Sequence, residues 1–453
     1  MSGTGGGDIY IRGGQIFMEN VYIWADTHGD KNGQGITIKA TDFVAKGARI
    51  TTEVGSTGDG GNIKIEARKV TLTDGAQIAT STRSSGNSGE ITMNVKESTE
   101  ISGFFSLFND KDSRSGLLSN TSSIGNGGQI FIKTPALTLT DNSNISSQTL
   151  NIGHAGDIEL QVDTLTLTKG AQIDLNANKK ITTNTGHGGT LTITAKDSVL
   201  ISGKTDRQSA LVSNTQTNGN GGTINLSALQ LAVEDNGTIQ AGTEGTGQGG
   251  QISLDVGKLY IRQNGRITAE SQAQGNAGHI SVHVNDWLRM QKGAIKTETY
   301  SADGGNINIT SPGYLYLTDG AITTSVKAGD GNGGNITLNP EFIVLDNSKI
   351  IAQAVSGDGG NINIKTTGLY KFSESPINAS SEYGLDGIVS INSPDVDIGY
   401  FLVFSKHFLD AAALLNNRCA GFSKENLSRF IITIRDVLPP GPEDLRTHTW
   451  LPF

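Results

Sequence analysis

The residues best suited to metal chemistry are seven histidines: His28, His154, His187, His279, His283, His407 and His448. His279 and His283 are four apart in an alternating segment. On a strand they share a face but lie about 13 Å apart at about 3.3 Å per residue, too far to share one ion. His154 and His187 each stand four residues before an apolar residue that opens a strand, Ile158 and Leu191. In stacked repeats the pair would sit about 5 Å apart. That spacing allows a surface metal site; the plainer reading is two solvated turn histidines. The GDGG turns at 58–61 and 357–360 resemble calcium-binding nonapeptides only weakly, because those need a tandem motif every nine residues. They read more simply as backbone corners. Neither a Gly-x-Ser-x-Gly elbow nor a phosphate loop is present. Polysaccharide-cleaving chemistry needs convergent carboxylates. The outward charges Lys64, Glu66, Arg68, Glu159, Arg262 and Glu298 read as scattered, with no pairing repeated between units. The expectation is therefore no enzyme, no cofactor and no metal. The single Cys419 excludes a disulfide framework or a cysteine-rich metal cluster. It reads as a packed thiol or as one half of an intermolecular disulfide.

The elements that carry these residues follow from a repeat. Gly-rich turns followed by alternating apolar residues recur from GGDIYI (6–11) to GGNINI (359–364). The first apolar residue of each unit gives fourteen anchors: Ile9, Ile36, Ile63, Ile91, Ile130, Ile158, Leu191, Ile224, Ile252, Ile280, Ile307, Ile336, Ile362 and Val389. Most lie 26 to 29 residues apart; the exceptions are 39 after Ile91 and 33 after both Ile158 and Leu191. Each unit holds three short alternating segments, as in IKIEA, VTLTDG and AQIAT across 63–80, and no helical period separates them. Asp74-Gly75, Asn236-Gly237, Asn264-Gly265 and Asp319-Gly320 mark corners where glycine supplies positive φ. The pattern predicts an all-β fold: a parallel β-helix, or solenoid, of about 14 coils over 1–397, with three short strands per coil. Coils about 4.8 Å apart make a rod of roughly 60 Å. Asn306, Asn335 and Asn361 precede their anchors in successive units and predict a side-chain amide ladder.

Composition agrees. Gly is 60 of 453 residues, about twice the usual share. Charged residues are 17% and the net charge is −9, so no general basic surface for nucleic acid is expected. No apolar run reaches the about 18 residues of a membrane-spanning helix.

The longest excursion from the period, 101–123, is the candidate partner-binding loop. Phe104, Phe105, Leu107 and Phe108 crowd into it, beside Asp110, Lys111, Asp112 and Arg114. Exposed, they form an apolar patch with a polar rim; folded back, they form a lid over a strand edge. A second long loop spans 201–216. After SINSPDVD (390–397) glycine thins out. Residues 398–453 read as a small mixed tail with a short helix at 406–417, a strand at 430–436 and a Pro-rich segment at 438–446. The chain starts inside a repeat without a signal peptide or an amino-terminal cap. The expectation is the carboxy-terminal part of a longer protein, or a truncated frame.

The units GDGGNIKIEARKVTLTDGAQIATST (58–82) and GNGGQIFIKTPALTLTDNSNISSQ (125–148) resemble the filamentous-haemagglutinin-like exoproteins of two-partner secretion. The likeness is to the cyanobacterial-type S-layer-family or haemagglutination-activity repeat proteins. The loop at 101–123 and the tail segments INSPDVD, LDAAALLNNRCAGF and FIITIRDVLPPGPEDLR extend the resemblance over essentially the whole chain. The tail departs from that pattern in the hydrophobic YFLVF at 400–404. The resemblance implies a right-handed β-helix at the outer surface of a Gram-negative-type bacterium, or released from it. It implies export through an outer-membrane transporter, whose recognition domain this sequence lacks, and a cell-surface glycan or protein as ligand. The alternative from another class is a carbohydrate-active β-helix enzyme, a lyase or hydrolase.

Overall fold

The computed structural model describes residues 7–393, apart from 56, 106–112, 123, 179–185 and 373. The tail expected at 398–453 lies outside the described residues, as does part of the long interval after Ile158. Among the described residues no helix is long and apolar enough to cross a membrane.

The described chain is a parallel β-solenoid. All fourteen anchors fall in one register column, from Ile9 against Ile36 through to Ile362 against Val389. The period in the sequence is therefore the coil of the structure. One seventeen-stranded sheet and one thirteen-stranded sheet run its length. The expectation of three short strands per coil needs one correction. In ten coils the first two segments run on as a single strand, such as Asn62–Thr73 and Gln251–Arg262. They stay separate only in the first two coils and at Ile362–Lys365 and Gly368–Lys371. A register slip in mid-strand, between Ala67 and Lys69 for instance, bends the ribbon without ending it. The third segment is a three-residue strand, such as Gln77–Ala79 or Arg266–Thr268.

The interior is one continuous apolar column that includes Ile63, Ile91, Ile252 and Ile307, all fully buried. Each such side chain contributes roughly 1.5–3 kcal/mol on burial. Stability accumulates between neighbouring coils, with no single centre. In several coils a hydroxyl after the third strand ties the coil across to a glycine: Thr52, Thr80, Ser213 and Thr324 donate to the carbonyls of Gly61, Gly89, Gly189 and Gly334 at 2.6–2.8 Å, while Leu175, Ala241, Ala269 and Ala352 fill the same place in others. This fixes the role of the second glycine in each Gly pair. A Cβ on Gly250 would stand 2.1 Å from the Gly222 carbonyl oxygen of the preceding coil. Only glycine lets the coils close up there.

The corners also correct the sequence reading. The positive φ falls on the residue before glycine, as at Asn236 (67°), Asn264 (66°) and Asp319 (51°). Asn and Asp tolerate that region. Gly237 is needed instead for close approach, since its Cβ would meet the Ile201 carbonyl at 2.2 Å. Gly75 alone among the four fits the first expectation, with φ of 82°.

Candidate functional site

Because the backbone is committed to coil-to-coil pairing, any recognition chemistry lies in the outward columns and the inserted loops. The column before the anchors is a ladder of a different kind from the one expected. Asn306 Oδ1 accepts the Asn335 backbone N–H, and Asn335 Oδ1 accepts that of Asn361, both at 2.9 Å. The side chains bond the next coil's backbone, not each other. A second ladder runs four residues before the anchors. Asn87, Asn126 and Asn220 there accept the backbone N–H of Asn126, His154 and Gln248 at 3.0 Å each. His154 and His187 occupy that column. Their rings stack with centroids 4.9 Å apart and planes 16° apart. His154 Nδ1 accepts from the His187 N–H at 3.3 Å, and His187 Nδ1 accepts from Asn220 at 2.8 Å. The predicted proximity is correct, but both Nδ1 atoms are engaged in the ladder, which requires the neutral ring protonated on Nε2. Burial, and then the nearby His154, hold the His187 pKa below its usual value. His279 and His283 do not meet; their Nδ1 atoms contact Asn306 N and Thr310 Oγ1.

The insertion at 101–123 folds at its root as a hairpin. Phe104 bridges Arg114 antiparallel, and Phe105 N–H donates to Ser113 O at 2.9 Å. It leans on the preceding coil, where Gly75 N–H donates to Ser115 Oγ and Gln77 Nε2 to Arg114 O. Phe104 is 48% and Phe105 43% exposed, so neither is buried as a lid. Leu107 and Phe108 lie outside the described residues. The loop at 201–216 is built alike, with Lys204 bridging Gln208, Gly170 N–H on Ser209 Oγ, and Gln172 Nε2 on Gln208 O.

Near the second hairpin root is a polar cluster that sequence reasoning missed. Asp174 ends the strand Gln172–Asp174 and is 3% exposed. It accepts from Ser146 Oγ and Gln148 Nε2, and burial pushes its pKa up despite these bonds and the charges of Arg207 and Arg114. Arg207 is brought down to about 10, by burial first and by Arg114 next. Its buried Nε and Nη2 have no hydrogen-bond partner.

Several outward charges find partners in the neighbouring coil, which the sequence reading did not foresee. Lys39 pairs with Glu66 (2.9 Å), Arg68 with Glu97 (2.9 Å), Arg262 with Glu234 (2.7 Å) and Lys327 with Glu298 (2.9 Å), each one coil away. Coil lengths vary by a residue or two, so a fixed period hides these partners. Glu270 and Glu298 stand in adjacent coils with ionisation pushed apart. Burial and the charge of Glu298 raise Glu270. Burial acts upward on Glu298 too, but bonds from Lys327 and Thr323 outweigh it and hold it low. Aromatic side chains also stack between coils, with Trp287 and Tyr314 at 5.7 Å and 5° and the Arg289 guanidinium 5.4 Å from Trp287. Their faces cover one another, so they staple coils together.

A groove of about 1200 Å³ lies at the bend of the long strands, crossing seven coils from Arg12 to Lys196. Its floor is Ala67, Val95, Thr134 and Val162, each at most 5% exposed. Six cations line it against two carboxylates, Glu66 and Asp163. Bonds from Lys64 and Lys39 hold Glu66 at about 2, so it stays ionised. Lys196 bonds Asp163 at 2.6 Å, and Arg68 also reaches Asp42 at 2.6 Å. Arg12, Lys96 and Lys133 form no ion pair among the described residues.

Comparison of the chain with protein-family models, with curated proteins and with solved structures finds no match.

Proposed function

We propose that the chain is a structural and adhesive repeat protein, a stiff segment that displays its outward columns and hairpins at the cell surface. The observation that carries this reading is the unbroken register of fourteen coils. It commits almost all the sequence to a scaffold and leaves recognition to the exterior. The repeat and tail sequences support a filamentous-haemagglutinin-like exoprotein of two-partner secretion as its type. An outer-membrane transporter would then be its export partner, and the outer surface or medium of a Gram-negative-type bacterium its location. The exposed Phe104 and Phe105 remain the proposed protein-contact loop. The test is antibody labelling of intact source cells, with and without the transporter gene. Surface signal lost with the transporter supports the reading; protein confined to the cytoplasm refutes it.

A carbohydrate-active enzyme is the second reading, and one observation favours it. Glu270 and Glu298 are half-buried carboxyls in adjacent coils, and Glu298 is tied to Lys327 at 2.9 Å and to Thr323 at 2.7 Å while Glu270 is raised by burial and by Glu298. Release of reducing ends from a polysaccharide, abolished in Glu298→Gln and Glu270→Gln, would establish it. Equal release by the variants would remove it.

A further inference from the structure

We infer that the groove from Arg12 to Lys196 binds a linear, carboxylate-bearing polysaccharide lying parallel to the stack axis. This rests on the reading of the chain as a surface-displayed adhesive protein and names the ligand class.

The dimensions select the ligand first. Six coil spacings give a length of about 29 Å. Its walls stand two residues apart on each strand, as Glu66 and Arg68 or Asn94 and Lys96 do, which sets them about 6.6 Å apart at about 3.3 Å per residue. An α-helix with its side chains is about 10–12 Å across and does not enter; a nucleic-acid duplex is wider still. One extended polymer chain fits.

The lining narrows the choice among single chains. No aromatic side chain lines the groove, so the stacking that holds single-stranded nucleic acid is missing there. An extended peptide binds well by adding to a sheet edge. Here the floor is a sheet face whose backbone groups already pair between coils, as Ala67 with Val95. What the groove offers is a smooth floor of small side chains and walls rich in donors, including Asn94, Gln161 and Thr194. Those features suit pyranose rings, with apolar faces below and hydroxyls at the sides.

Charge fixes the class. The whole chain carries −9, yet this groove gathers six cations; Lys39, Arg68 and Lys196 are paired with Glu66, with Asp42 and Glu97, and with Asp163, which leaves Arg12, Lys96 and Lys133 to a ligand. Lys96 and Lys133 stand exposed in adjacent coils, on opposite walls, without acidic partners among the described residues. Coils repeat every 4.8 Å or so, close to the advance of one sugar along an extended chain. Successive uronate carboxylates can therefore meet successive coils.

The test is titration of the full chain with hexagalacturonate, cellohexaose, a single-stranded oligonucleotide and an oligoglutamate of similar length. The expected result is saturable binding of hexagalacturonate. It weakens as salt rises from about 0.01 M to about 1 M, where the screening length falls from about 30 Å to about 3 Å. Lys96→Ser with Lys133→Ser should lower the affinity at least tenfold, with unfolding by urea unchanged. Lys349→Ser, on the short-strand sheet, should leave it as it was. Absent hexagalacturonate binding overturns the inference. So does an unaltered double variant, an equal loss in Lys349→Ser, or tighter binding of any of the other three probes. Surface labelling of cells is scored separately. Binding without surface display would refute the adhesive reading and leave the groove assignment standing; display without binding would do the reverse.

Discussion

Lowering the pH is expected to weaken the solenoid at one identifiable place, the His187 ring stacked on His154. Both rings accept a backbone N–H from the following coil, at 3.3 and 2.8 Å. Protonation of Nδ1 would turn acceptor into donor and set two N–H groups facing each other. The His187 pKa is lowered in the fold, by burial first and His154 second. The unfolded chain, with a histidine pKa near 6.5, then takes up the proton more readily. Stability from this group is therefore complete above about pH 6.5 and is lost as the pH falls below it toward the depressed value. One pH unit below 6.5, holding a single histidine neutral costs at most about 1.4 kcal/mol. Much of His187 faces solvent, so about 0.5–1 kcal/mol is the figure to expect after screening. Carboxylates titrate nearby, so the assay must isolate the pair. Asparagine fills the same column at Asn87, Asn126 and Asn220 and accepts the same bond whatever the pH. The double variant His154→Asn, His187→Asn should match the parent in urea at about pH 7.5 and exceed it by about 0.5–1 kcal/mol at about pH 5.5. An identical pH slope in parent and variant would show that the ring nitrogens do not carry the ladder.

Replacing fully buried Ile252 or Ile307 by Asp puts an unpaired charge between dry coils, a cost of several kcal/mol, whereas outward Ser253→Asp costs little; equal thermal midpoints would invert the assigned faces. Gly250→Ala forces a methyl onto the Gly222 carbonyl and should cost more than about 2 kcal/mol, while Gly14→Ala, with nothing within 4 Å, should be neutral or slightly stabilising; urea midpoints decide. The double variant Asp174→Asn, Arg207→Met removes a buried carboxyl and a guanidinium with unpartnered nitrogens, and should leave stability unchanged or raised by about 1–4 kcal/mol. A marked loss would mean that the two charges support each other after all.

The coil was legible in the sequence because apolar spacing is what a solenoid repeats. Interior stacking requires Ile252 under Ile280 and Ile280 under Ile307, so the period survives every change in loop length. The corner residues were legible as corners but not in their cause. A dipeptide such as Asn236-Gly237 does not reveal which residue takes positive φ and which meets the next coil. The join of the first two segments was hidden because a mid-strand slip breaks the alternation by one residue. The second ladder was hidden by chemistry: Asn32, Asp59, Asn87 and His154 look unrelated until each is seen to offer one acceptor at the same offset from its anchor. The hairpin roots showed only as extra length, since Gln77 and Gln172 bind their loops from 36 or 37 residues away.

The groove was invisible for a related reason, and its position argues that the charge is not incidental. Its walls are the third and fifth residues after each anchor; its floor is the fourth. The small floor continues past the groove as Ala228, Val256 and Val284, all buried. The walls do not continue in kind. Beyond Lys196 they hold Ser227 and Leu229, then Asp255 and Gly257, then His283 and Asn285, and the next lysine or arginine at either position is Lys365. Were these lysines and arginines present for solubility alone, they would spread along all the coils, because every coil exposes the same two positions to water. Were they there only to pair with acids, Lys96 and Lys133 would have acidic partners among the described residues, and they have none there. The fold supplies the trough over many coils, and the sequence charges one stretch of it. That separation lets a repeat protein change its ligand by a few outward substitutions while Ile, Gly and Thr columns, which hold the coils together, stay as they are.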